Sequence, residues 1–286
     1  MKKEILPKTQ LTYLLLTLPG LAGFMMFYII PFAISLYLSM IDNNVARNFI
    51  GLGNFTDVLT NSAFLLAIKN TFLFLAAYLP LNIILPLFMA LLIQRVSLKG
   101  KAFFTFIFML PMIIPTGSMV FFWKSIFGIN GIVNGAFFSA NPVDWLNTDH
   151  ARSIIIFILT WKNAGYNMIL FIAGLEFIPK EYYEFSAIEG AGDLQTFLRV
   201  TLPCLYPTLF FVLIMTIINS FNSFKEIYLL SGAYPHQSIY MLQHYMNNQF
   251  AALNYQKLSA ASYILSLVFV AISIVIFRKQ SEAYRR

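Results

Sequence analysis

The sequence predicts an all-α integral membrane protein with roughly six transmembrane helices, and three observations carry that prediction. The 286-residue chain is 59% hydrophobic and only 11% charged, with a mean hydropathy of +0.72. Soluble domains carry about 25% charged residues. The apolar residues fall in continuous runs, and a membrane-spanning helix needs about 20 such residues. The runs lack the two-residue alternation of a barrel strand, so they read as helices. Lys and Arg gather in alternate loops, as cytoplasmic segments require.

Span one covers Leu11–Ser39. It is too long for the 7–15-residue core of a secretory signal, and no cleavage site follows, so it reads as a retained span interrupted by Pro19 and Pro31. Span two covers Asn70–Ile93, interrupted by Pro80 and Pro86, and span three covers Ala102–Ile126, interrupted by Pro111 and Pro115. Such breaks are tolerated where neighbours or water satisfy the freed carbonyls. They predict kinked helices around a cavity, or kinks that serve packing alone. The segment Phe127–Arg152, with Gly128, Asn130, Gly131, Asn134 and Trp145, predicts a short surface helix and a turn at Asn141–Pro142. Span four is Ile154–Phe177, span five Leu205–Phe221 and span six Ser259–Phe277. Between the last two, Asn222–Lys257 is polar and aromatic, with Tyr234, His236, Gln243, Tyr245, Asn247 and Asn248. It suits docking of a soluble partner, or is simply a solvated loop.

Orientation follows from the basic residues. Lys2, Lys3 and Lys8, then Arg95, Lys99 and Lys101, then Arg278, Lys279, Arg285 and Arg286 fall on one side of a six-span chain. Both termini are therefore predicted to be cytoplasmic, as is the loop around Gly190. The net charge of +7 is topology and no sign of nucleic-acid binding.

Several chemistries are excluded. Cys204 is the sole cysteine, so no intrachain disulfide forms, and it reads as a small buried residue near the cytoplasmic face. His150, His236 and His244 lie in predicted external loops, with no His-Glu-x-x-His pattern. No Gly-x-x-x-x-Gly-Lys phosphate loop is present, so ATP hydrolysis by that route is absent. No cofactor or metal is expected. No repeat or soluble domain is evident, so residues 1–286 read as a single transmembrane domain.

The loop at about 178–203 is unlike its surroundings. Glu181, Glu184, Ala187 and Ile188 stand at helical spacing, and Gly190 ends the run and permits a tight turn. Phe197, Leu198 and Val200 give a second helical piece an apolar strip, which Leu202–Pro203 is expected to end. Such a helix–turn–helix knob can dock in a groove. An amphipathic surface loop is the alternative.

This loop resembles the cytoplasmic coupling loop of binding-protein-dependent ABC importer permeases. The family carries Glu-Ala-Ala, then Gly, then an aliphatic residue, any residue, Leu and Pro. Glu184, Ala187, Glu189, Gly190, Ala191, Val200, Leu202 and Pro203 fall at its spacing, while Phe185 and Ser186 stand where the family has two alanines and Glu189 where it usually has Asp. The resemblance extends over nearly the whole chain. Leu18–Pro19–Gly20, Tyr28–Ile29–Ile30–Pro31, Gly51–Leu52–Gly53–Asn54–Phe55, Asn70–Thr71, Trp145–Leu146, Ala173–Pro179 and Ser223–Leu230 are similar to the maltose-permease F-type branch of carbohydrate importers. Ser231–Gly232–Ala233–Tyr234–Pro235 departs from that branch's Gly-rich run.

The resemblance implies a type I permease fold and one half of a sugar pathway in a bacterial or archaeal cytoplasmic membrane. It implies a second, G-type permease subunit, two cytoplasmic ABC ATPase subunits and an extracytoplasmic solute-binding protein that delivers the carbohydrate. The alternative is a stand-alone secondary transporter, for which neither an internal repeat nor a midplane acid is evident. A membrane enzyme would need an intramembrane His or a carboxylate pair, and the sequence has neither.

Span four holds dense polarity in Trp161, Lys162, Asn163, Gly165, Tyr166 and Asn167. Intramembrane ionisable residues face a cavity or a partner. Lys162 is about 12 Å from the outer end at 1.5 Å per residue, and Glu226 is its candidate partner. The resemblance implies sugar contact at Asn163, Tyr166, Phe221 and Asn222. Aromatic faces and side-chain amides suit sugars. Interhelical hydrogen bonding is the alternative for each.

Overall fold

The computed structural model describes residues 8–43, 45–94 and 98–284. Of the basic residues that set the orientation, Lys2, Lys3, Arg95, Arg285 and Arg286 lie outside the described residues. The described elements are helical, apart from an isolated bridge between Ile41 and Phe49. Helices α1 (Lys8–Phe24) and α2 (Ile30–Ser39) are joined by a π-helical turn, Met25–Ile29. Then come α3 (Gly53–Thr60), α4 (Ser62–Gln94), α5 (Leu98–Ile113), α6 (Thr116–Phe127) and α7 (Ile132–Phe137). Next are α8 (Ala151–Glu176), α9 (Lys180–Ile188), α10 (Asp193–Thr196) and α11 (Leu202–Cys204), with a π-helical turn at Phe197–Thr201. The chain closes with α12 (Tyr206–Asn222), α13 (Phe224–Ser231), α14 (Leu242–Ala251) and α15 (Tyr255–Tyr284).

Five described stretches are long and apolar enough to cross a membrane, and a sixth results if α5 and the segment beginning with α6 count as one bent span. The third predicted span is therefore corrected: it is broken by 93° rather than continuous. Pro111 is absorbed inside α5, and the break falls at Ile114–Pro115, where Pro115 takes an extended conformation and caps α6.

The other prolines interrupt less than their sequence suggested. Pro80 and Pro86 lie inside α4, which runs unbroken for 33 residues. Pro31 and Pro203 each follow a π-helical turn by two residues. Proline cannot donate to the carbonyl four residues back and its ring presses on it. A π turn widens the helix locally and relieves that conflict. Thus Ile30 donates to Met25 O and Leu202 to Phe197 O, each five residues back. Leu202–Pro203 does not end the helix as expected; it bends a helical path that continues into α12.

The chain divides into two compact units. One comprises residues up to Asn61 together with Asn248–Phe269. Inside it, Asn54 Nδ2 donates to the carbonyls of Ser39 (3.0 Å) and Ile41 (2.8 Å), pinning α3 to the end of α2. Tyr263 Oη donates to Phe32 O, and Lys257 pairs with Asp57 at 3.2 Å.

The other unit comprises Ser62–Asn247 and the residues from Val270. It holds two apolar clusters. The first packs Phe74 and Tyr78 of α4 with Met119 and Trp123 of α6, Ile155 and Leu159 of α8, and Ile227 of α13. The second packs Leu87 and Ala90 of α4 with Met168, Phe171 and Leu175 of α8, and with Leu205 and Val212. Close helix approach needs glycine at Gly165, where a Cβ would stand 1.8 Å from Phe108 O of α5, and at Gly174, where it would stand 2.4 Å from Thr208 Oγ1 of α12.

The end of this unit away from α9 is capped by a clasp. Arg152 donates through Nε and Nη2 to Ser238 O at 3.0 and 2.8 Å, and through Nη2 to Asn70 Oδ1 at 2.7 Å. Asn70 Nδ2 in turn donates to Gln237 O and Tyr240 O. The predicted short helix is α7, with a turn at residues 138–141 rather than at Asn141–Pro142. His244 lies in α14 rather than in a loop, fully buried, with its ring against Phe224 and Tyr240. Met241 N donates to His244 Nδ1 at 3.3 Å, and Nε2 is buried with no hydrogen-bond partner among the described residues.

Two predictions follow from this packing. Gly165→Ala drives a methyl into a backbone carbonyl that no rotamer change can move. It should destabilise the detergent-purified protein by about 1–3 kcal/mol, more than Gly174→Ala, where a side chain can yield; thermal unfolding of both variants checks the order. Burial pushes His244 down from 6.5 to about 4. A depressed value means stability that is full above pH 6.5, falls as pH drops, and is lost below about 4, on the order of 3 kcal/mol across the window. His244→Gln keeps an acceptor and should flatten the unfolding midpoint between those pH values.

Candidate functional site

Two places concentrate polar chemistry, and the first is the 178–203 loop. α9 ends in a motif that closes through Gly190. Gly190 N donates to Ala187 O at 3.1 Å and Ala191 N to Ser186 O at 3.0 Å, with Gly190 at φ +73°. This is the hydrogen-bond pattern of a Schellman cap, which favours glycine in the left-handed region. Ser186 Oγ lies 2.6 Å from Thr196 Oγ1 and Thr201 Oγ1 donates to Tyr183 Oη at 3.4 Å, so α9 is tied back to α10 and the π turn. Glu184, Ala187, Glu189, Gly190 and Pro203 are exposed, while Ala191, Val200 and Leu202 are half-buried.

Around them Phe185, Ile188 and Leu194 expose 64%, 83% and 71% of their surface. A cavity of about 690 Å³ lies beneath, lined by Leu91, Gln94, Tyr183, Ala187, Asp193 and Phe197 among others. Exposed apolar side chains rimmed by acids thus stand over a hollow, an arrangement that single scattered surface apolar residues do not make. Cys204 is exposed rather than buried, beside Glu181, Tyr182 and Arg199 in a groove of about 530 Å³. It lies in the short helix that follows the π segment.

The second place is a polar seam between the two apolar clusters. Thr160, Asn163 and Asn167 recur at three- and four-residue spacing along α8 and meet α4 and α12. Asn82 Nδ2 donates to Thr160 Oγ1 at 2.9 Å, and Asn163 Nδ2 donates to Tyr78 Oη at 3.0 Å. Asn167 Nδ2 donates to Asn82 O at 2.9 Å and to Thr216 Oγ1 at 3.1 Å. One turn away, Lys162 forms an ion pair with Glu226, as the sequence suggested, and Thr116 Oγ1 donates to the same carboxylate at 3.4 Å.

The predicted substrate residues separate at this seam. Asn163 is buried in an interhelical hydrogen bond. Lys162 and Tyr166 are half-buried, one turn apart on a different face of α8. Phe221 is half-buried, with its carbonyl accepting from Gln243 Nε2 at 3.3 Å, and Asn222 is exposed. The bonds Asn167–Thr216 and Lys162–Glu226 bracket the stretch between them, so residues 163–166 lie alongside 217–225. No hydrogen bond joins Tyr166 to Asn222. Asn82, Thr160 and Thr216 were missed from sequence. Their signal was present, since Asn82 stands four residues before Pro86.

The comparisons agree with this architecture. The model of the family described as binding-protein-dependent transport system inner membrane component matches residues 82–282. A probable ABC transporter permease protein, YesP of Bacillus subtilis, is 31% identical over 92% of this chain and 88% of its own. The arabinooligosaccharides transport system permease protein AraP of the same organism is 30% identical over 95% of this chain and 88% of its own. A chain of a bacterial alginate ABC transporter, solved in complex with an alginate pentasaccharide-bound periplasmic protein, aligns with a TM-score of 0.79. It is 25% identical over 94% of this chain and 93% of that one. These matches leave no place for a stand-alone secondary transporter. The chain belongs to the family of binding-protein-dependent transport system inner membrane components: it is a multi-pass permease subunit of an ABC importer, working with a second permease, ATPase subunits and a solute-binding protein.

Proposed function

We propose that this permease imports a sugar or oligosaccharide handed over by its solute-binding protein, as an F-type subunit beside a G-type partner. The whole chain acts as one transmembrane domain, with the 178–203 loop as its contact to the ATPase. The names of the relatives support the cargo class: AraP is named for arabinooligosaccharides, and the solved importer for alginate. The sequence motifs from Leu18–Pro19–Gly20 to Ser223–Leu230 support the F-type branch.

One observation carries the reading most directly. α8 is buried on most sides but keeps a partly exposed stripe at residues 162, 166 and 169 that opens fully at 173. A lysine on that stripe cannot face lipid cheaply. A stripe that begins with Lys162 and Tyr166 therefore suits a polar passage. Phe221 and Asn222 stand on the neighbouring helix, where an aromatic face and an amide can meet the same cargo. Asn163 contributes by holding α8 to Tyr78 behind that stripe.

In the coupling loop, Glu184 and Glu189 supply charge to the ATPase groove, while Ala187 and Ala191 leave room for close approach. Val200, Leu202 and Pro203 set the angle at which the knob leaves the bundle.

Two experiments test this reading. At Gly190 a Cβ would meet open space, so any defect in a variant comes from the backbone. A β-branched residue at positive φ costs about 1–2 kcal/mol, whereas Asn tolerates it. Gly190→Val should lose ATPase co-purification and uptake while Gly190→Asn keeps both; normal uptake by the Val variant removes Gly190 from coupling. For cargo, the aromatic and amide contacts are worth about 0.5–1.5 kcal/mol each. Tyr166→Ala with Asn222→Ala should slow uptake about tenfold with docking of the loaded binding protein intact. Uptake at the wild-type rate places the site elsewhere.

A further inference from the structure

The Lys162–Glu226 pair sits near the middle of α8, where a charge is most expensive. Its two members are not equivalent. Lys162 belongs to the partly exposed stripe of α8, with 14% of its side chain exposed. Glu226 lies behind it in the first turn of α13, with 1% exposed. The carboxylate accepts from Lys162 and Thr116 through Oε1, and its Oε2 is buried with no hydrogen-bond partner among the described residues. A carboxylate so poorly solvated is an unfavourable way to anchor a helix, since buried pairs often contribute nothing net to stability. What the arrangement does achieve is electrical. It sets a full negative charge directly behind the one cation on the stripe and keeps water from screening it.

We infer that Glu226 is a specificity-determining residue: it cancels the charge of Lys162 so that the stripe suits an uncharged glycan rather than an acidic or phosphorylated one. The inference rests on the reading that this stripe lines the passage. An uncompensated lysine next to Tyr166 would hold anionic cargo by charge and retain it. A compensated one leaves selection to the hydroxyl-matching and stacking that Tyr166 and Asn222 offer. Glu226 itself touches no cargo; it acts through Lys162.

The test uses the assembled importer carrying Tyr166→Cys and Cys204→Ser. The thiol is reacted with methanethiosulfonate reagents of similar size bearing either a sulfonate or a trimethylammonium group. Glu226→Gln should raise the sulfonate-to-ammonium rate ratio about tenfold at low ionic strength, the scale of one unscreened charge in a cleft, and salt should erode the gain. Lys162→Met combined with Glu226→Gln should bring the ratio back, which a mere packing defect would not do. An unchanged ratio in Glu226→Gln overturns the inference alone. A thiol that reacts with neither reagent in any transport state overturns the water-lined stripe beneath it. Protection of the same thiol by trisaccharides checks the cargo. A uronate trisaccharide should protect Glu226→Gln at about fivefold lower concentration than it protects the parent, as an added charge pair in a cleft allows; equal protection overturns the assignment of cargo charge.

Discussion

The main-chain carbonyl of Asn82 has no amide four residues on to receive, because position 86 is proline. In a membrane there is no water to make up the loss, and a bare carbonyl costs several kcal/mol. Asn167 of α8 supplies the missing donor at 2.9 Å, and its amide also reaches Thr216 of α12. A single side chain thus joins three helices at one level. Asn82 turns its own amide to Thr160, and Asn163 adds Tyr78 one turn along. The polar seam is the consequence of a proline that α4 does not bend away from, and it fixes α8 in the register that brings Lys162 to Glu226.

Fixing that register sets how the neighbouring helices pack. Gly165, within the seam, and Gly174, toward the α9 end, let α5 and α12 close against α8. At the α9 end the π turn at Phe197–Thr201 precedes α12, and the apolar side chains of α9 stand exposed. The central helix α8 leads into a knob closed by a Schellman cap. Within the α9 knob the left-handed turn falls at Gly190, where glycine tolerates it.

The membrane class, most span positions and the helix and turn of the 178–203 loop were legible in the sequence because each depends on local composition or on a short spacing. Apolar run length reports a span, and Gly190 reports a left-handed turn. The Lys162–Glu226 pair was also legible, since an intramembrane lysine demands an acid and few were at hand. Prolines were the weak point. Pro80, Pro86, Pro111, Pro31 and Pro203 carry the same local signal as Pro115, yet only Pro115 breaks a helix. Pro86 is accommodated by Asn167 alongside it and Pro31 and Pro203 by π turns, and such accommodation depends on the surroundings rather than on the proline itself.

What the sequence by itself determined was that this chain lives in a bilayer and which loop projects from it. Those follow from hydrophobicity, charge and backbone freedom residue by residue. Only the tertiary structure decided that Asn163 faces inward to Tyr78 while Lys162 and Tyr166 share a partly exposed stripe. It also decided that Cys204 is exposed and that α5 and α6 part at 93°. Adjacent positions on a helix point about 100° apart, so which of two neighbouring polar residues meets a partner helix is set by helix rotation. That rotation is fixed by a hydrogen bond between residues 85 positions apart, Asn167 and the carbonyl of Asn82 that Pro86 leaves free.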